Sequence, residues 1–132
     1  MNATQHARPP SAADTFVVSC IDPRFVEEPS ALLGMLGRTG RYSEMRIAGA
    51  ALAVVDEARP AWATALWENL AASRQLHGVR RVTVLNHRDC GAVNAWAGRK
   101  LSADPADELR VHTDLLNRAA AEVRRRHPDM EV

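Results

Sequence analysis

Two short segments carry side chains able to hold a soft metal ion. In His87-Arg88-Asp89-Cys90-Gly91 an imidazole and a thiol stand three residues apart, so a tight turn can aim both at one point. In Cys20-Ile21-Asp22-Pro23-Arg24 a thiol and a carboxyl stand two residues apart. Pro23 restricts Asp22 to extended backbone, and the two-residue period of extended chain points Cys20 and Asp22 the same way. Two thiolates and a neutral imidazole leave Zn²⁺ formally uncharged and keep a fourth position open for water. Each half alone has an ordinary alternative. Cys20 would serve as a small core residue, and Asp22 with Arg24 as a surface ion pair. The chain holds two cysteines, which could instead form one disulfide; in a reducing compartment metal binding or catalysis takes precedence.

Both segments follow apolar, β-branched runs. Thr15-Phe16-Val17-Val18-Ser19 leads to Cys20, and Arg81-Val82-Thr83-Val84-Leu85 leads to His87; both read as buried strands. Gly91 lets the backbone turn into a helix over Ala92-Val93-Asn94-Ala95-Trp96. A strand end feeding a helix N-terminus is where open α/β sheets place ligands. Between the two segments, Ser30 to Leu36 reads as a short helix and Tyr42 to Ala48 as a strand. A longer helix starts near Pro60, repeats Trp62, Leu66, Trp67, Leu70 and Leu76, and stops at Gly78. After the second segment, Ser102 or Asp104 caps a long helix with Pro105 at its start. Its stripe is Leu109, His112, Leu116, Ala119 and Val123, and Arg124-Arg125-Arg126 closes it. Met130-Glu131-Val132 has the make-up of a strand's first residues. The expected fold is therefore α/β in three layers, a mostly parallel central sheet flanked by helices.

The 132 residues suffice for one domain, expected over 15–132, with residues 1–14 and their Pro-Pro pair as a flexible arm. Lys and Arg total 17 against 16 Asp and Glu, so charge gives no case for nucleic acid. The longest apolar run, Ala48 to Val55, is far below the roughly 20 residues of a membrane helix. The first ten residues lack the apolar segment of a signal peptide, so a cytoplasmic protein is expected. His6, His77, His112 and His127 read as solvated or packed histidines. Trp62, Trp67 and Trp96 read as core or subunit contacts.

With both segments in order, each behind an apolar strand, the chain resembles the β-class carbonic anhydrases from about Phe16 to Ala95. That family pairs a Cys-x-Asp-x-Arg segment with a later His-x-x-Cys-Gly segment. Its intervening Arg-Asn-Ala-Gly segment is matched loosely by Arg46-Ile47-Ala48-Gly49. The resemblance implies a zinc enzyme that reversibly hydrates carbon dioxide to bicarbonate, with zinc-bound hydroxide as nucleophile. Cys20, His87 and Cys90 would be the zinc ligands. Asp22 would pair with Arg24, orienting the bound water, or become a fourth ligand in a closed state. The Gly91 N–H would steady an anion, and a homodimer or a multiple of one is expected. The chain departs from the family at Pro23, where a small polar residue is usual, and at Ile47, where Asn is usual. It also has no good match for the glutamine the family places before its first strand. Those departures leave two competitors: a carbonyl sulfide or carbon disulfide hydrolase on the same scaffold, and a non-catalytic structural zinc module.

Overall fold

The computed structural model describes residues 12–132. Its three strands are β1 (Thr15–Ser19), β2 (Tyr42–Arg46) and β3 (Arg81–Val84), all parallel, in the order β2-β1-β3. The helices are α1 (Glu27–Met35), α2 (Leu52–Val55), α3 (Pro60–His77), α4 (Gly91–Ala97) and α5 (Pro105–Arg126), with a 3-10 turn at Leu101–Ala103. The α/β class expected from the sequence is the one observed.

β1 is buried along its whole length, which is why it reads as an unbroken apolar and β-branched run. Phe16 and Val18 point into a core with Leu66 and Leu70 of α3, Val82 of β3 and Val123 of α5. Thr15 on the opposite face satisfies its hydroxyl against Thr83 Oγ1 at 2.9 Å. A second apolar cluster continues from the strand ends: Cys20, Cys90, Val93, Leu101, Leu115 and Ala119. The chain leaves β1 through α1 to reach β2 on one side, then returns through α2 and α3 to place β3 on the other. That reversal opens a crevice beyond the carboxyl ends of β1 and β3.

Helix ends follow their local chemistry. Pro60 opens α3, and Gly78 closes it in the left-handed region at φ 66°, its N–H bonded to Arg74 O. Asp104, not Ser102, caps α5 and accepts from the N–H groups of Ala106 and Asp107.

Several boundaries differ from the sequence reading. α1 starts at Glu27, because Glu27 and Glu28 favour a helix N-terminus and Pro29 is tolerated in a first turn. β2 stops at Arg46, because Gly49 and Ala50 take positive φ of 75° and 49° and end the extended run. Leu76 is exposed, and α3 buries Leu66, Leu70 and Ser73 instead. On α5 His112, Ala119 and Val123 are buried as expected, but Leu109 is 70% exposed and the neighbouring Glu108 and Leu115 are buried in place of Leu109 and Leu116. Ala13 and Asp14, placed in the expected arm over 1–14, are anchored to the fold, and residues 1–11 lie outside the described residues. Ala13 N–H bonds His77 O, and Asp14 pairs with Arg81 at 2.7 Å and Arg38 at 3.2 Å; His6 lies outside the described residues. Met130-Glu131-Val132 does return to the sheet, through a parallel bridge of Glu131 to Arg81. Trp62 and Trp67 are half-buried against the core under Arg59 and Arg126, whereas Trp96 is 40% exposed. Among the described residues no helix is long and apolar enough to cross a membrane.

Candidate metal centre

Cys20 is the first residue beyond β1, and His87 and Cys90 lie in the loop beyond β3, so the crevice gathers them. One ligand atom from each of the three lies within 4.8 Å of the other two. The two sulfurs are 3.8 Å apart, both cysteines are buried, and neither is in a disulfide. The loop that carries His87 and Cys90 is tight: Asp89 sits at φ 53°, in the left-handed region that Asp tolerates better than most residues. Its conformation is held from three sides. Glu108 Oε2 accepts the Asp89 N–H, Arg24 donates to Asp89 O, and Ser102 donates to Asp89 Oδ1.

The tautomer of His87 follows from its partner. Its Nδ1 lies 2.7 Å from the Arg88 carbonyl oxygen, which can only accept, so Nδ1 carries the proton. Nε2 is left with its lone pair, buried and without a hydrogen-bond partner. Phe25 stacks on the ring at 4.9 Å and fixes its plane. A buried imidazole lone pair beside two buried thiols is costly unless something accepts it. Burial pushes the Cys90 thiol up to about 11, opposed by the N–H groups of Val93 and Ala92, and the Cys20 sulfur adds to the rise. A divalent cation answers both problems, accepting the imidazole lone pair and supplying the charge that lets adjacent thiolates form. The donor set of one neutral imidazole and two thiols fits a soft or borderline metal ion.

Asp22 faces the same point. Its Oδ2 is 3.7 Å from His87 Nε2 and 2.7 Å from Arg24 Nη2, and only 12% of its side chain is exposed. Arg24 also donates from Nε and from its backbone N–H to Asp22 Oδ1. The Arg24 guanidinium, then its backbone N–H, hold the Asp22 carboxyl well below the usual carboxylate range. Arg24 is anchored in turn by Asp89 Oδ2 at 3.1 Å. The carboxylate is thus ionised and turned toward arginine. Gly91 is the first residue of α4, directly after Cys90.

Four groups outside the expected site residues support the cluster. Arg46, at the end of β2, donates to the carbonyls of Cys20 and Asp22 and fixes the first segment's backbone. Gly49 directs its N–H to Cys20 Sγ at 3.4 Å, a donor suited to a thiolate. Glu108 binds Arg88 and Asp89, and Asn86 joins the Ala51 N–H to His112. The Arg-x-Ala-Gly match carried a signal for Arg46 and Gly49; nothing local in the sequence marked Glu108 or Asn86. Ile47, between Arg46 and Gly49, packs against the core.

The expected structural roles of the remaining histidines and arginines hold in part. His127 Nδ1 lies 2.8 Å from Arg74 Nη1, and at the end of α5 Arg125 and Arg126 both pair with Glu122.

Neither a known protein family nor a solved structure matches this chain. Two relatives are found among curated proteins. An uncharacterized protein of Rickettsia bellii is 27% identical over 128 residues, 97% of this chain and 78% of that protein. An uncharacterized protein of Rickettsia conorii is 25% identical over 130 residues, 98% of this chain and 70% of its own length.

Proposed function

We propose that the protein is a zinc enzyme that reversibly hydrates carbon dioxide to bicarbonate, in the manner its resemblance to the β-class carbonic anhydrases implies. The observation that carries the reading is the meeting of both sequence segments: Cys20, His87 and Cys90 within 4.8 Å, with an arginine-held carboxylate beside them. Cys20, His87 and Cys90 would hold the zinc. Zinc, when bound, acidifies water enough to make hydroxide available near neutral pH. Asp22 would accept the hydrogen bond of the attacking water and so aim its lone pair at the substrate carbon. Arg24 keeps Asp22 ionised and turned from the sulfurs. The Gly49 N–H and the N–H groups at the start of α4 favour the thiolate form of the two cysteines.

A closed structural zinc site is the competing reading. Such a site has no use for an ionised carboxylate restrained by arginine at its margin, which favours the catalytic one. A second copy of the chain is the proposed partner. Ile21, Val26, Met35 and Leu36 are about half or more exposed in the first segment and the stretch that follows it. Light scattering should give a dimer or a multiple; a clean monomer at micromolar concentration removes that part. The function itself is tested by stopped-flow hydration of carbon dioxide, with carbonyl sulfide hydrolysis run in parallel on the same zinc-loaded protein. Hydration well above the buffer rate supports the proposal. Activity toward carbonyl sulfide alone, or toward neither, overturns it.

A further inference from the structure

A cavity of about 380 Å³ lies between the loop after β3 and the first turns of α5. His87 lines it together with Asn86 and Arg88, but none of Cys20, Asp22 or Cys90 does. Pro105, Leu109 and Leu116 make its wall apolar, and Asn86, Glu108 and His112 are its inner polar groups. A volume of this size, lined mostly by apolar atoms with few polar groups, is the usual form of a small-molecule site.

His112 supplies the second observation. It is 9% exposed, and its Nε2 is buried with no hydrogen-bond partner. The state of that nitrogen can be derived. The Ala51 N–H can only donate, and it meets Asn86 Oδ1 at 3.1 Å, which fixes the amide orientation. Asn86 Nδ2 therefore donates to His112 Nδ1 at 2.9 Å, and Nδ1 must be unprotonated. The proton of the neutral ring is on Nε2, so a ring that lines the cavity carries a buried N–H donor with nothing to receive it. Buried donors are nearly always satisfied, and one left open beside an unfilled space marks where an acceptor belongs.

Charge decides what kind of acceptor. Glu108 is ionised, and both its oxygens are used: Oε1 by Arg88 Nε at 2.8 Å, Oε2 by the Asp89 N–H at 2.8 Å. The Glu108–Arg88 pair sums to zero and the imidazole is neutral. An anion entering here would lose its hydration without gaining a net opposite charge, beside a buried carboxylate. We infer that this cavity binds a small neutral molecule with an apolar body and one carbonyl oxygen, such as a ketone, amide or ester, held by the Nε2–H of His112. The cavity shares only His87 with the metal centre, and the inference makes no use of the proposed hydration activity.

The test is a titration of the ¹⁵N-labelled full chain with cyclohexanone, read at the His112 side-chain nitrogens and at the Leu109 and Leu116 methyl groups. Methylcyclohexane serves as the probe without oxygen and cyclohexanecarboxylate as the charged one. Cyclohexanone should shift Nε2–H and both leucines along one saturating curve in the millimolar range, with the same result with and without added zinc. The hydrocarbon and the carboxylate should each bind at least about tenfold more weakly. Leu109→Glu, at an exposed position that leaves folding intact, should weaken cyclohexanone by a similar factor, and His112→Phe should abolish the effect. No saturable shift at His112 overturns the inference, as does a carboxylate that binds as well as the ketone. Should His112→Phe fail to fold, the parent titration and Leu109→Glu decide alone.

Discussion

At the scale of single residues, the proposed chemistry turns on one carboxylate. Asn has the shape of Asp22, so Asp22→Asn leaves the packing and the three metal donors in place. What it removes is the charge that accepts the water's hydrogen bond and pairs with Arg24. At equal zinc occupancy the variant should lose carbon dioxide hydration by about a hundredfold, the size of a general-base effect. A ratio of mutant to parent near one would take Asp22 out of the mechanism. Cys20, Asp22, Arg24, His87 and Cys90 were legible because each is tied by short spacing to a strand end. Glu108 was not. Its partners Arg88 and Asp89 are about twenty residues away in sequence, and a Glu in a helix's first turn already has a sufficient explanation in the dipole. Buried at 2% exposure, it is held below its ordinary value near 4.5 by the Arg88 guanidinium and then the Asp89 N–H. A depressed carboxylate contributes stability above its unfolded value and loses it as pH falls through the folded one. Glu108→Gln should therefore cost about 2 kcal/mol at neutral pH, the scale of a charged hydrogen bond left half-made. Its urea midpoint should also fall less than the parent's between roughly pH 5 and 3. Equal acid sensitivity in the two proteins would show that Glu108 carries no such linkage.

At the scale of elements, the small-residue turn after β2 holds the first ligand as firmly as β1 does. Gly49 has φ 75°, and a Cβ built there would meet Leu52 Cβ at 2.7 Å. The position therefore rejects any side chain twice, by conformation and by contact. Gly49→Ala should destabilise the fold by about 2 kcal/mol or more, since Leu52 is buried and cannot swing aside. Because the same residue's N–H reaches Cys20 Sγ, zinc affinity should drop with it. A competitive chelator titration checks this, and an unchanged affinity would make Gly49 a folding residue only. β1 and β3 were readable from their β-branched runs, and β2, which has no β-branched residue, from Gly40 and Gly49 on either side of it. Helical phase was harder. The α5 stripe was read as Leu109, His112, Leu116, Ala119 and Val123; His112, Ala119 and Val123 are buried, but Glu108 and Leu115 take the buried places expected for Leu109 and Leu116. A charged residue occupies a core position there because Arg88 meets it, and no hydrophobic pattern can announce a partner from another element. The 3-10 turn at Leu101–Ala103 escaped notice for a simpler reason: three residues carry no period.

At the scale of the whole molecule, the two halves of the candidate site are far apart in the chain and close only in the fold. Cys20 and Cys90 are separated by 70 positions, and their sulfurs approach to 3.8 Å because β1 and β3 are neighbours in the sheet. An unfolded chain would have to close that loop before it could present the same donors, so metal should bind the native state far more tightly than the denatured one. Preferential binding of this kind stabilises by mass action, by about 2.7 kcal/mol when free zinc stands at a hundred times its dissociation constant. For a domain of this length that corresponds to a rise in Tm of roughly 8 to 15 °C. Scanning calorimetry with buffered zinc, and again after exhaustive chelation, should show the difference and its growth with the logarithm of free zinc. Cys90→Ser should keep a cooperative transition while losing most of the zinc-dependent part, because its serine oxygen is a poor replacement for a thiolate. The slope against zinc separates two explanations of the buried cluster. A slope in the parent that disappears in the variant means that Cys20, His87 and Cys90 act as one binding site. A Tm indifferent to zinc in both means that the two thiols and the imidazole are a packed core feature, and the proposed hydration activity loses its foundation with them.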